Sequence, residues 1–588
     1  MVLIVEKCEE IEVSLTSIAA RVAAAAGAAL ILSFQVLAGS PLPAAAASAA
    51  SPDCAPTIAA GALHALALRS DGTVWAWGAN SFGQLGNNDN TLSNSNTPVQ
   101  VTDPAGTGFL TGVVAVAAGG DFSMALKADG TVWTWGANLR GSLGNNDPLH
   151  GIQQKPVQVV GVGGTGVLTN VVAIAAGRYH ALAILDDGTL LSWGSNQYGQ
   201  LGLNDNNTVG GSDYPRHVVG TSGSGNLGGV KSIGAGNYYS MALLSDTTVV
   251  AWGQNDAGQL GDGTSSPFTL TDTPQHVLNA PLGSNFTGVK EIAPNRHQAL
   301  ALKNDGTVWG WGSNATGELG QGPSGLSQYN NPFQVNGVGG SGTLSGVTAL
   351  AEGGHHSLAI QPNQTMLGWG KNSNGQVGNG SNGSPVTNPD QVVGAGGSGL
   401  LGSVVGLGAG DNFSLALKSD GTIWSFGDGS SGQLGNGTNT SPQDSPVQVS
   451  QASGLNAVPG ACLAVQAVQA ASTSCNGGVS VTITGSGFLG ATRVQFGGVD
   501  AQSFVVNSDT QITAVTPASS PGTADVTVTT PRGTSAVNGV AFVCAAVIPN
   551  LPKAGSGPAW TLPFGALLVV LAAGIASAAV VLKVRARA

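Results

Sequence analysis

Apolar and small positions alternate along short stretches of this chain, and turn residues punctuate them. His64-Ala-Leu-Ala-Leu68 alternates, Asp71-Gly72 follows, and Val74-Trp-Ala-Trp77 alternates again. This pattern predicts two antiparallel strands joined by a tight turn. Gly takes positive φ freely and Asp tolerates it, so Asp-Gly suits a turn with both central residues in that region. The pair recurs as Asp129-Gly130, Asp187-Gly188, Asp305-Gly306 and Asp420-Gly421, while Asp246-Thr247 and Asn363-Gln364 replace it in two copies, where looser turns are expected. A Pro-Val-Gln-Val strand follows at Pro98–Val101, Pro156–Val159 and Pro446–Val449, and Val113–Ala117 supplies a fourth strand.

The whole stretch Ile58–Gly86 returns six more times, the copies ending at Gly86, Gly144, Gly202, Gly261, Gly320, Gly378 and Gly435. Successive spacings are 58, 58, 59, 59, 58 and 57 residues. Four short strands at this period, seven times over, predict a seven-bladed β-propeller. The residue between the two aromatic positions is always small: Ala76, Thr134, Ser192, Ala251, Gly310, Gly368 and Ser425. Ten of the 11 Trp residues occupy those two positions, which assigns them to packing between sheets rather than to a binding platform.

The repeated I-A-A-G-x-x-H-x-L-A-L-x-x-D-G-x-V-W-x-W-G-x-N-x-x-G-Q-L-G resembles the repeat of the regulator of chromosome condensation family, over about residues 57–450. The resemblance implies a seven-bladed propeller. Family members include an exchange factor for a nuclear GTPase and a secreted bacterial inhibitor of β-lactamases, so fold transfers and activity does not.

Composition places this ring outside the cell. Only 9% of the 588 residues are charged, 91 are Gly, and the net charge is −11. With no basic run before the last residues, nucleic acid is excluded as a partner, because phosphate binding needs clustered cations. Residues 22–38 form an apolar run behind Arg21 and ahead of an Ala-Ser stretch at 44–50, so residues 1–50 are read as a secretory signal helix, with a membrane anchor as the alternative. Four Cys remain in the exported part. Cys54 and Cys462 flank the repeats and are placed to staple the ring, and Cys475 and Cys544 bracket the next domain; four free thiols are the alternative.

Residues 463–544 read as a small immunoglobulin-like β-sandwich, with Val479–Phe488, Arg493–Gly498, Asp509–Pro517 and Gly522–Val528 as β-rich segments between Gly, Pro and Ser-Asp turns. Its T-I-x-G-x-G-F, V-x-F-G-G and I-T-A-x-x-P elements resemble the IPT/TIG domain. A linker at 545–561 carries Leu551, Pro552, Lys553, Ala554 and Gly555, residues 562–582 are apolar enough for a transmembrane helix, and 583–588 form a basic tail, expected on the cytoplasmic side. This order resembles a sortase sorting signal, with Ala554 where that signal has Thr.

A catalytic group is expected to break the repeat. The His64 position holds His64, Phe122, His180, Tyr239, Gln298, His356 and Phe413, a mixture that favours a structural role over a ligand or base. His355 and His356 are adjacent and face opposite ways on a strand, which spoils them as joint metal ligands. The Asn/Asp loops lack the spacing that wraps calcium. No enzyme, cofactor or metal is expected. What varies is the pair after each Ala-Ala-Gly turn: Ala62-Leu63, Gly120-Asp121, Arg178-Tyr179, Asn237-Tyr238, Arg296-His297, Gly354-His355 and Asp411-Asn412. Variable turns on one face of a fixed ring suit recognition, with drift at solvated turns as the alternative. Arg178, Tyr179, Tyr238, Arg296 and His297, from three consecutive copies, are the candidate binding patch. The expectation is therefore a monomeric bacterial cell-surface protein, anchored in membrane or cell wall, whose propeller binds an extracellular protein or glycan. Nucleotide exchange on a GTPase and a propeller lyase or hydrolase are the alternatives. The even spacing leaves no room for a wedge-like insertion that exchange would use.

Overall fold

The computed structural model describes residues 58–450 and 464–544, apart from residues 70, 206–209, 266–269, 281–282, 324, 471–473, 489–490, 509, 531–532 and 536–540. Residues 1–50, Cys54, Cys462, the linker at 545–561 with Leu551–Gly555, the apolar span at 562–582 and the tail at 583–588 lie outside the described residues. Among the described residues no helix is long and apolar enough to cross a membrane.

Seven four-stranded antiparallel sheets follow one another, each drawn from one contiguous stretch of chain. The first comprises Ile58–Ala60, His64–Leu68, Val74–Gly78 and Ser95–Gln100. The seventh comprises Val404–Ala409, Phe413–Lys418, Ile423–Gly427 and Gln443–Gln448. The first strand of each sheet lies beside that of the next, and the seventh returns to the first, so the sheets stand around a central channel. Val113–Ala118, which completes the count of four along the first copy, belongs instead to the second sheet, where it pairs with Phe122–Lys127. The tight turn at 119–121 joins those two strands, whereas a long loop at 101–112 separates Val113 from the strand before it.

The hairpin turns also depart from expectation. Gly72, Gly130, Gly188, Gly306 and Gly421 have φ between 76° and 83°, and the Asp before each is absent from the positive-φ residues. Asp71 works through its side chain instead: Oδ1 accepts from the Thr73 backbone N–H at 3.0 Å and from its hydroxyl at 2.6 Å. Thr247 and Gln364 take the same backbone at φ 71° and 62°. Their closing bonds, Thr247 N–H to Leu244 O and Gln364 N–H to Gln361 O, are both 2.9 Å, against 3.0 Å for Gly72 N–H to Arg69 O. These two turns are therefore as tight as the others, and only their side chains carry strain.

Both faces of each sheet are buried against a neighbour. Leu66, Leu68, Val74 and Ala76 pack with Val116, Ala125 and Trp135 of the second sheet. Ala65, Ala67, Trp75 and Trp77 pack with Phe413, Leu415 and Ile423 of the seventh. The small residue on one face thus makes room for the Trp of the next sheet. Each fully buried indole reaches back to a carbonyl of the preceding loop: Trp135 to Gln84 O at 3.0 Å, Trp193 to Ser142 O at 3.1 Å, Trp252 to Gln200 O at 2.9 Å and Trp77 to Gln433 O at 3.0 Å. Gly86 must be Gly, since its φ is 62° and a Cβ there would stand 2.7 Å from the Trp135 ring.

The ring closes by contact rather than by strand exchange. Besides Trp77 and Gln433, Gly437 N–H donates to Asn96 O at 2.8 Å and Asp411 N–H to Ala62 O at 3.2 Å. Every outer strand contains a proline: Pro98, Pro156, Pro215, Pro274, Pro332, Pro389 and Pro446. Its register slips there, Ala76 facing Val99 but Gly78 facing Ser95, and since the Val101 N–H points inward to Val74 O, Pro98 turns its missing N–H to the outer edge, where a strand tolerates proline.

In residues 464–544 one sheet holds Ala464–Ala470, Ser480–Ser486, Gln511–Val515 and Ser503–Ser508. The other holds Val499–Asp500, Arg493–Phe496, Gly522–Thr530 and Gly533–Thr534, with Ala541–Cys544 also paired to Gly522–Thr530. Val481, Ile483 and Ile512 meet Val494, Phe496, Val526 and Phe542 between them. Cys475 and Cys544 form a disulfide with Cα atoms 5.1 Å apart.

Candidate functional site

In an antiparallel meander the turn between the first and second strands and the loop between the third and fourth emerge at the same end. The seven variable turns therefore share a face with the seven Gly-Gln-Leu-Gly type loops. Backbone bonds run from turn to turn around it: Gly120 N–H to Arg178 O at 3.3 Å, Arg178 N–H to Gly236 O at 3.3 Å, Asn237 N–H to Arg296 O at 3.4 Å and Gly354 N–H to Gly410 O at 3.0 Å.

The histidines at the His64 position lie beneath this ring and are structural. His64, His180 and His356 are fully buried. Each places Nε2 against a serine of the next sheet, at 2.9 Å to Ser123, 2.9 Å to Ser240 and 2.8 Å to Ser414. Those hydroxyls donate onward to the carbonyls of Gln84, Gln200 and Gln376, so the imidazole is the donor to the serine. Burial depresses the three imidazoles to about 4, 3 and 3, which keeps them neutral.

Arg178, Tyr179 and Tyr238 are brought together. The Tyr179 and Tyr238 ring centroids are 5.7 Å apart, and Tyr198, from the loop before, stands 4.8 Å from Tyr238. The Arg178 guanidinium lies 5.5 Å from the Tyr179 centroid, and its Nε donates to the Tyr179 hydroxyl at 2.9 Å. Its Nη1 reaches Asp411 of the seventh copy at 3.6 Å, so this side chain spans the channel mouth. Burial would lower the Arg178 pKa, but the Tyr179 hydroxyl and the carboxylates of Asp411 and Asp121 hold it raised. The patch is thus less cationic than the sequence suggests, because its arginine is already near two acids. His297 is engaged elsewhere, with Nδ1 3.4 Å from Asp256 and 3.4 Å from the Gln259 amide. Arg296 sits at the turn position equivalent to Arg178 with φ 31°, and its buried Nε has no partner.

Sequence reading missed a second cluster, where the repeat breaks between the fifth and sixth copies. Glu318 stands where other copies have Gln or Ser, Asn295 where they have Gly, and Glu352 where they have Ala or Pro. Glu318, with a fully buried side chain, accepts from the Thr316 N–H at 2.7 Å and lies 3.1 Å from His355 Nδ1. Burial would raise its pKa, but His355 and the backbone N–H groups hold it lowered. Glu352 Oε1 lies 2.8 Å from Ser357 Oγ, whose hydroxyl donates to Glu318 O at 2.7 Å, and Oε2 accepts from the Gln298 amide at 3.2 Å. Burial drives its carboxyl well above the usual range, with Glu318 adding to the effect, while the Ser357 and Gln298 bonds oppose it. Tyr239 joins the network by donating to Gln298 O, and Asn295 Nδ2 donates to Glu352 O at 2.6 Å. Comparing the copies at the Gln and second-Ala positions would have exposed both acids. Among the described residues no group of three or more His, Cys, Asp or Glu could hold a metal ion.

A family model described as an RCC1-like domain matches residues 38–398, RCC1 repeat models match 404–433 and 420–470, and an IPT/TIG domain model matches 463–543. The chain is similar to the Arabidopsis thaliana ultraviolet-B receptor UVR8, 28% identical over 323 residues that make up 55% of this chain and 66% of the receptor. It is 29% identical over 324 residues to the human E3 ubiquitin-protein ligase HERC2, covering 55% of this chain but 6% of the ligase. The chain thus spans less than two thirds of either relative's length. Among solved structures, yeast RCC1 (Prp20), crystallised bound to Kap60, aligns with a TM-score of 0.53 at 18% identity over 77% of this chain and 90% of that one. That likeness concerns the fold.

Proposed function

Because the chain belongs to the RCC1-like domain family, we propose that its propeller is a rigid binding scaffold that takes a protein partner on the face carrying the seven turns. The observation that carries this reading is the half-buried cluster of Arg178, Tyr179, Tyr198 and Tyr238, since aromatic rings and arginine dominate protein interfaces. Catalysis finds less support. Among the described residues the buried acids of the fifth and sixth copies are occupied by internal hydrogen bonds, and the half-exposed histidines beside them are each held by one acid.

Replacing both Tyr179 and Tyr238 by Ala is expected to weaken a partner captured by the full chain about thirtyfold, at roughly 2 kcal/mol for a central anchor. Affinity measured by calorimetry, with the melting curve as control, checks it; unchanged affinity moves the site off this face. We place the scaffold at a bacterial cell surface, supported by the signal-like run at 22–38, the apolar span at 562–582 and the low charge content. Protease added to intact cells is expected to release propeller fragments, and an untouched propeller removes this placement.

A further inference from the structure

The first residue of each variable turn lies in the ring of turn-to-turn backbone bonds, and three of the seven, Ala62, Gly120 and Gly354, bring little or no side chain to it. Arg178 crosses that ring, yet its 3.6 Å approach to Asp411 is longer than a hydrogen bond. Arg296, at the equivalent position two copies on, pairs with no acid among the described residues, and its buried Nε–H goes unanswered. Its backbone at φ 31° is one that L-residues rarely adopt. The backbone bonds through Gly236, Asn237 and Arg296 hold these two turns in one arc. Arg178, 3.6 Å from Asp411, and Arg296, paired with no acid among the described residues, therefore stand at equivalent positions of one ring of turns, with Tyr179 and Tyr238 beside Arg178.

We propose that the channel mouth receives one carboxylate side chain of the protein partner, held by Arg178 and Arg296. This rests on the protein-binding reading above and names the chemistry the partner brings. A guanidinium fork matches a carboxylate in two parallel bonds, and neither arginine is neutralised by a close acid. Asp411 competes only from 3.6 Å, so Arg178 exchanges it readily for a closer oxygen. One carboxylate is held at a time, whichever of a peptide's acidic side chains supplies it. Asp121 and Asp411 already flank Arg178, and Asp121 takes up a proton more readily than a free carboxyl because burial raises its pKa.

The test uses the full chain with a labelled hexaglutamate peptide, its hexaglutamine counterpart and trigalacturonate, read by fluorescence anisotropy at low ionic strength. Saturable binding of hexaglutamate alone is expected. Arg296→Gln and Arg178→Gln are expected to weaken it tenfold or more and Arg296→Lys less, while Arg493→Gln in the sandwich leaves it unchanged. Melting curves of each variant separate lost binding from lost folding, and Arg296→Lys keeps the charge should Arg296→Gln fail to fold. No hexaglutamate binding, equal weakening by Arg493→Gln, or binding of trigalacturonate alone overturns the proposal. A captured partner that is lost with Tyr179→Ala and Tyr238→Ala but indifferent to both arginines overturns only the carboxylate, whereas indifference to all four overturns the face.

Discussion

Trp77→Ala is expected to destabilise the propeller by about 3–5 kcal/mol, the range for truncating a large buried aromatic. Trp77 is fully buried and lies at the seam where the first and seventh sheets meet. Trp77→Phe isolates the hydrogen bond. It keeps most of the apolar area but deprives Gln433 O of its indole donor, a loss of about 1–3 kcal/mol for a buried acceptor left unpaired. The same change at Trp135 is expected to cost less, because Ser123 Oγ still donates to Gln84 O at 2.8 Å, whereas Ala65 occupies the equivalent position beside the seam. The seventh copy follows this logic. Phe426 replaces the Trp, and Ser414 Oγ covers Gln376 O at 2.7 Å. Urea midpoints for the three variants check the order, and equal losses for Trp77→Phe and Trp135→Phe would contradict the role given to the serine.

Glu352→Gln is expected to remove a loss of stability that the natural chain suffers as pH rises above the ordinary carboxyl pKa of about 4.3. Burial raises the Glu352 pKa above its value in the unfolded chain. The sign follows from linkage: the contribution of such a group is complete below the unfolded pKa of about 4.3 and declines as pH rises toward the folded one. Across that window the decline is about 1.4 kcal/mol per pH unit, so a change of two units rivals the loss of a core side chain. Gln keeps an acceptor for the Gln298 amide and a polar neighbour for Ser357 but never ionises. The stability difference between variant and natural chain, taken from urea unfolding at pH 5, 7 and 9, is expected to widen in favour of the variant. Parallel profiles would mean that Glu352 ionises in the folded ring without penalty.

The architecture could be read from the chain because the repeat encodes it several times over. Period-two alternation at His64–Leu68, a turn at Asp71-Gly72 and a small residue at Ala76 opposite the next Trp are local features, and seven copies average out the exceptions. The sheet boundary was harder. Val113–Ala118 is equally plausible as an ending or a beginning until pairing is known. The site was legible only in part. Tyr179 and Tyr238 could be placed side by side from their copies alone, but the reach of Arg178 to Asp411 joins positions in the third and seventh copies. The acids at 318 and 352 escaped notice for a different reason. Each replaces an inconspicuous residue, Gln or Ala, so it stands out only when those two positions are compared copy by copy, and the burial that makes an acid there unusual shows only in the fold.

The seven rim prolines bear on how such a molecule behaves in company. An unguarded outer strand is an open template, and molecules that meet at high concentration would zip such edges into filaments. Pro98 and its six counterparts interrupt that template on every side of the wheel. A neighbour can touch the circumference but finds no uninterrupted ladder to extend. Crowded copies would therefore stay separate while their faces remain open to whatever arrives from above.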